Sequence, residues 1–163
     1  MRVFEVHQRT RVDSSNPRPD KTGILLTRVF RAPRSRVWKE WTEPAAFADW
    51  FGGTEAEIPI ETVSMDVREG GRWRATMFVG PDRRAIQWSG EYRDVVEPKL
   101  LILTFCDSPD VDCELMTVVL TEPEDGWTEM LVRQRGGMTP EEYERARSGL
   151  ASFLDRMAER LEA

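Results

Sequence analysis

One histidine, two cysteines and an acidic loop are the residues from which this chain would have to build reactive chemistry. His7 stands in a polar stretch ahead of the proline-rich run SSNPRPDKTG, so a Ser-His-Asp or Cys-His arrangement would have to recruit the far terminus. Cys106 and Cys113 lie 7 residues apart with no histidine near them, which is not zinc-ligand spacing. Read as a calcium loop from Asp110, the run Asp107, Asp110, Asp112, Glu114 has Leu115 where the turn glycine belongs and Thr121 where the bidentate glutamate belongs. It reads instead as a solvated hairpin tip. Gly52-Gly53 follows a helical pattern and Gly136-Gly137 lacks the Lys-Ser/Thr partner, so neither makes a phosphate loop. No catalytic group, metal or cofactor is expected. An enzyme of this composition would be left with carboxylates such as Glu91 or Glu114, with Tyr92 as a further acid-base candidate, and a buried glutamate would need a raised pKa to work near neutral pH.

What the chain has in quantity is aromatic and apolar surface. Six tryptophans stand among 163 residues, and a cluster of aromatics near a cavity mouth binds flat or greasy molecules through area and stacking. Trp50, Phe51, Trp73, Met77, Trp88, Phe105, Phe153 and Met157 are the candidates for lining such a cavity. Taken singly, Trp38, Trp41, Trp73 and Trp88 also read as core anchors, each worth about 1.5 to 3 kcal/mol of burial. Arg28, Gln87 and Glu91 are candidate polar orienters, and period two alone does not say which of them points inward.

Composition narrows the classes further. The net charge is -6 and the Arg and Lys residues are scattered without a stripe, which argues against nucleic acid as a partner. No apolar run approaches the roughly 20 residues that span a bilayer, and MRVFEVHQRTRV lacks the apolar centre of a signal peptide. The expectation is a soluble, cytoplasmic protein with no membrane contact. The two cysteines agree with a reducing compartment and read as reduced, part-buried thiols flanking a hairpin loop, since a disulfide framework would carry more of them in a smaller chain.

The elements that must position the aromatics are legible along the chain. Residues 1–21 read as a tail, a short strand at most followed by a turn-rich linker, and 22–163 as one domain. Residues 24–31, ILLTRVFR, make a first strand that stops at Ala32-Pro33. Pro33 and Pro44 then open two short helices with Val37, Trp38, Trp41, Phe47, Trp50 and Phe51 as their apolar set, closed by Gly52-Gly53. Between 58 and 135, turns at 69–71, 80–82, 97–99, 108–110 and 124–126 divide the chain into six strand-length pieces, an antiparallel meander. Val63, Met65 and Val67 alternate in the first piece; Gly90 marks a bend or bulge in the third; 100–105 is apolar on both faces and reads as a central strand. Thr139-Pro140-Glu141-Glu142 forms a capping box for a helix over 140–162, whose stripe is Ala146, Leu150, Leu154, Met157 and Leu161 with Phe153 beside it. The class is α+β, with the long C-terminal helix laid across a curved antiparallel sheet.

The segments LLTRVFRAPRSRVWKEWTEPAAFADWFGG, MDVREGGRWRATM and SGEYRDVVEPKLLILTF resemble the stand-alone bacterial members of the family of the Hsp90 ATPase activator's C-terminal domain. That family belongs to the helix-grip superfamily of START-like and Bet v 1-like domains, and the likeness covers residues 24–161. It implies a sheet gripping the last helix around a cavity open near the two short helices. The functions it implies are non-catalytic binding of a small hydrophobic molecule, docking on an Hsp90-type chaperone, or a cyclase- or hydrolase-like activity. Two positions depart from the pattern. Gly149-Leu150 stands where members often carry Gly-Trp, and Gln134 where they often carry histidine, which removes a candidate polar contact or proton donor. A homodimer, formed by exchange of the N-terminal strand, is an open alternative for assembly.

Overall fold

The structure, a computed structural model, describes residues 23–108 and 112–162. The expected N-terminal tail, its short strand and His7 lie outside the described residues. Strand β1 (Gly23–Phe30) leads into α1 (Arg34–Thr42) and α2 (Pro44–Trp50). Glu43 separates the two helices because a residue before proline is pushed out of the helical region; it is extended, at φ -101 and ψ 126. Pro44 then takes the first position of α2, where its missing N–H costs nothing. Five long or medium strands follow, β4 (Arg72–Val79), β5 (Arg84–Val96), β6 (Leu100–Phe105), β7 (Glu114–Glu124) and β8 (Trp127–Arg135), with two-residue strands β2 (Ala56–Glu57) and β3 (Ser64–Met65) ahead of them. Helix α3 (Pro140–Leu161) ends the described chain.

The strands form an antiparallel sheet in the order β1-β8-β7-β6-β5-β4-β2, with β3 also pairing β4. β6 is central, as its two apolar faces require. β5 belongs to two ladders, pairing β4 along Arg84–Glu91 and β6 from Tyr92 onward, with a register shift between Tyr92 and Asp94. Gly90 sits at this crossing because a Cβ there would overlap Thr104 O and the Trp73 indole. Helix α3 covers the inner face with Ala146, Leu150, Phe153, Leu154, Met157 and Leu161, all buried. Its capping box is formed: Glu142 N donates to Thr139 Oγ1, and Thr139 N donates to Glu142 Oε1, both at 3.2 Å. Its last turn is capped from α1, where Arg36 donates to the carbonyls of Leu161 at 2.9 Å and Arg160 at 3.2 Å.

Three expectations are corrected here. Of the strand expected from the alternation of Val63, Met65 and Val67 only Ser64–Met65 forms, as β3 against β4, and a 3-10 turn at Ile60–Thr62 precedes it. Thr62 Oγ1 accepts from Thr76 N at 3.1 Å and donates to Pro59 O at 2.7 Å, so a side chain does along β4 what a strand backbone would have done. Second, Cys106 and Cys113 are disulfide-bonded rather than reduced, with Cα atoms 4.5 Å apart. The β6–β7 ladder pairs Phe105 with Glu114, so the next residue outward on each strand is a cysteine facing a cysteine at bridgeable distance. Third, the acidic run is not all solvated: Glu114 is fully buried and Asp107 nearly so. Glu114 shares its inward phase with Met116, Val118 and Leu120, and Asp107 shares that of Phe105.

Candidate functional site

The sequence-predicted aromatics meet at one place. Phe51, the residue that closes α2, has ring centroids of Phe47 at 4.7 Å, Trp88 and Phe153 at 5.5 Å, and Phe105 at 5.7 Å. Trp73 stands 4.6 Å from Phe105, and Trp50 4.8 Å from Trp41. Three of these six pairs are edge-on, an arrangement that aromatic quadrupoles favour. Trp50, Phe51, Trp73, Met77, Trp88, Phe105, Phe153 and Met157 are all buried. Several indole N–H groups are satisfied inside the protein, Trp50 by Glu40 O at 2.6 Å and Trp73 by Thr104 O at 3.0 Å. The space enclosed by sheet, short helices and α3 is thus filled by rings.

The open space lies beside this cluster. A cleft of about 720 Å³ runs between the Gly52–Ala56 turn, the end of β4 and the middle of α3. Of the predicted residues it brings Met77 and Phe153 to its floor; the other six pack behind them. Its α3 wall is Gly149, Ser152, Phe153 and Arg156, and Gly52, Thr54, Ala56, Val79 and Gly80 complete the apolar and small part of its lining. Glu55, Asp155 and Glu159 stand against Arg156 at the rim, which leaves the mouth acidic. Composition-led reasoning missed this wall because small residues carry no chemical flag. The signal available was spacing, since Gly149, Ser152 and Arg156 recur at helical intervals beside the apolar stripe of α3.

Salt bridges hold the helices that frame the cleft. Arg160 of α3 reaches Glu40 of α1, at 2.8 Å from Nε to Oε1, and also Asp49 of α2. Arg156 pairs with Asp49 at 3.4 Å and with Glu159 at 3.2 Å. On the other flank Arg28, one of the candidate orienters, donates to Ala151 O at 3.2 Å and pairs with Asp155 at 3.3 Å, so it is committed to docking α3 on β1.

The carboxylates considered for acid-base work are placed apart. Glu91 lies on the outer face, ion-paired to Arg93 at 3.5 Å. Gln87 is also outside, accepting from Thr76 Oγ1 at 2.9 Å. Glu114 lines neither this cleft nor any other described; it accepts from Gln134 Nε2 at 3.2 Å and Gly137 N at 3.1 Å, with the Tyr143 phenol against it. Gln134, where relatives were expected to carry histidine, therefore does supply a polar contact, to a buried carboxyl. Gly136 permits it: a Cβ there would overlap the Glu114 carboxylate. Tyr92 is fully buried, and desolvation pushes its phenol up. Among the described residues no group of three or more His, Cys, Asp or Glu stands close enough to hold a metal, and no helix is long and apolar enough to cross a membrane.

Burial pushes the Glu114 carboxyl above its ordinary 4.5, and the Gln134, Tyr143 and Gly137 donors offset only part of that. Below about 4.5 both folded and unfolded chains hold the proton. Above it the unfolded chain releases the proton while the folded chain keeps it, so stability falls as pH rises until the folded group also ionises. Glu114→Gln is therefore expected to flatten the pH dependence of stability above pH 4.5, measured by urea midpoints across pH 4 to 8. An unchanged slope would place the titration elsewhere.

The comparisons with known proteins agree with this geometry. Protein CV1439 from Chromobacterium violaceum superposes with a TM-score of 0.78 at 22% identity, covering 87% of this chain and 99% of that one. The AHSA1 protein SPO3351 from Silicibacter pomeroyi gives 0.76 at 19% identity, covering 86% and 97%. Protein NE0264 from Nitrosomonas europaea gives 0.73 at 22% identity, covering 88% and 96%. These likenesses show the α+β helix-grip fold. No curated protein matches the chain. The family model described as "Activator of Hsp90 ATPase homolog 1-like protein" matches residues 31–162, and on that match over most of its length the chain belongs to this START-like family.

Proposed function

We propose that this protein binds a small apolar or aromatic molecule, without catalysis, in the cleft between α3 and the end of β4. One observation carries the reading: the cleft ends on Met77 and Phe153, two buried apolar side chains continuous with the aromatic core, while its rim is charged. Its volume of about 720 Å³ falls inside the 300 to 1,000 Å³ range of small-molecule sites. The acidic rim disfavours anions, so the ligand class is neutral or cationic. Phe51 and the tryptophans act here as the rigid backing of the floor.

The test uses N-phenyl-1-naphthylamine, a neutral aromatic probe whose fluorescence rises in apolar surroundings. The wild type is expected to bind it saturably, and Ser152→Trp, which adds a ring from an exposed helix position into the cleft, to weaken binding at least about tenfold. The melting temperature should hold, because Ser152 is exposed. Linear, non-saturable signal from the wild type, or equal binding by the variant, would remove the reading. Native mass spectrometry of the purified protein gives an independent check, since a retained ligand appears as a discrete added mass.

The family description favours one second reading, docking on an Hsp90-type chaperone. It predicts that the protein changes ATP turnover of the chaperone from its own host. Unchanged turnover together with no complex on gel filtration would discard it.

A further inference from the structure

The outer face of the sheet carries a second cleft, of about 570 Å³, directly behind the aromatic core. A row of side chains crosses its floor. Register sets Ser64 opposite Arg74 and Arg74 opposite Ser89; Ser89 bridges to Cys106, and Cys106 is bonded to Cys113. Alternation explains the row: Trp73, Trp88, Phe105 and Glu114 are buried on the inner face, so the residues next to them point outward. Arg72, Arg93 and one carboxylate, Glu91, line the same cleft, so with Arg74 it holds three arginines against one glutamate. Arg93 is engaged by Glu91 at 3.5 Å. Neither Arg72 nor Arg74 has an ion-pair partner among the described residues. Asp107 and Asp112 flank the two cysteines in sequence but do not line the cleft. An acidic protein thus presents an exposed disulfide beside two uncommitted guanidinium groups.

We propose that this cleft is a thiol–disulfide exchange site for a small thiol that carries carboxylates. The arginines hold the carboxylates, and the same positive field raises the thiolate fraction of the incoming group. Cys113 is exposed and Cys106 half-buried, so the attack falls on Cys113 Sγ. The incoming thiolate bonds to Cys113 Sγ, the Cys106–Cys113 bond breaks, and Cys106 leaves as a thiolate in the arginine-lined cleft. A second small thiolate then attacks the mixed disulfide, releasing the symmetrical disulfide of the small thiol and leaving Cys113 as a thiolate. Two electrons pass from the two small thiols to the protein pair, and each protein thiolate takes up a proton according to pH. The reverse sequence reoxidises the protein with the disulfide of the same small molecule. Either direction switches the covalent link between β6 and β7 on the face opposite the ligand cleft.

The experiment compares mercaptosuccinate, a dicarboxylate, with neutral 2-mercaptoethanol as reductants of the air-oxidised protein, with rates expressed per thiolate and read by alkylation and mass. Two guanidinium charges roughly 8 Å from a dianion at low ionic strength give a preference for mercaptosuccinate of about tenfold. Arg72→Ala/Arg74→Ala is expected to reduce that preference to about twofold or less, and 0.5 M salt to do the same to the wild type. The adduct of the first step is expected on Cys113. Equal rates for the two thiols, a preference that survives in the double variant, no disulfide in air-oxidised protein, or reduction only where the protein is unfolded would each overturn the proposal. Both arginines are exposed, and a double variant carrying Gln at the two positions repeats the test with the side-chain bulk retained.

Discussion

Phe51→Ala is expected to cost about 3–5 kcal/mol of stability and, for a chain of this size, to lower the melting temperature by roughly 10 °C. Its ring touches those of six residues, Phe47, Trp50, Trp73, Trp88, Phe105 and Phe153, from α2, the sheet and α3 together. Removing it deletes burial at the point where three layers meet, and large rings on every side cannot collapse into the gap. The space created lies behind Phe153 and next to Gly52, both of which line the cleft between α3 and the end of β4. A small aromatic such as indole should therefore enter it and restore part of the melting temperature, as a ligand that binds only the folded state does. Denaturant midpoints with and without indole measure both effects. A loss under about 1 kcal/mol would show that Phe51 swings clear of the core and acts as a gate to the cleft instead of its backing.

Arg160→Ala is the second large effect. Glu40 is buried, with 6% of its surface exposed, and its carboxylate is held by the guanidinium of Arg160 at 2.8 and 3.3 Å. Deleting the arginine leaves that carboxylate out of water without its cation, and the expected cost is about 3 kcal/mol. The loss is chiefly the stranded charge and not the worth of the pair. Arg160→Met with Glu40→Gln should accordingly recover most of the stability, and a double-mutant cycle over the four proteins isolates the coupling. If the double variant were as unstable as Arg160→Ala, the loss would lie in the packing of the arginine stem between α1 and α2.

Secondary structure was legible where a local rule coincided with the tertiary outcome. Pro44 opened a helix because proline suits N1, and Thr139 with Glu142 made the capping box that their spacing promises. The run 100–105 announced a central strand through its two apolar faces. In residues 58–68 the strand shrank to Ser64–Met65 because Thr62 satisfies β4 with its hydroxyl, an arrangement that the alternation of Val63, Met65 and Val67 does not encode. Glu114 was misjudged for a different reason. Its neighbours in the acidic run suggested water, yet its phase with Met116 and Val118 already placed it inside. The disulfide depended on register: one residue of slip would have turned the two cysteines to opposite faces. For the site, chemistry singled out the aromatics, and the fold used most of them as a wall. The opening is bordered by Gly52, Gly149 and Ser152, whose contribution is the absence of bulk.

The pairing of β1 with β8, and of Arg36 with the last carbonyls of α3, joins segments about 100 residues or more apart in sequence. On the ribosome this has an order built into it. β1, α1 and α2 emerge first with their tryptophans; Phe51 meets its ring partners on β4, β5 and β6 as these follow, but β1 has no strand to pair with until β8 and the inner face has no cover until α3. The inner aromatic face therefore spends most of synthesis uncovered, and the domain completes in one late step in which both ends of the described chain dock together. Folding should be slow for a protein this small, because its decisive contacts are also its longest loops, and the nascent chain is the form of this protein in greatest need of protection from its neighbours.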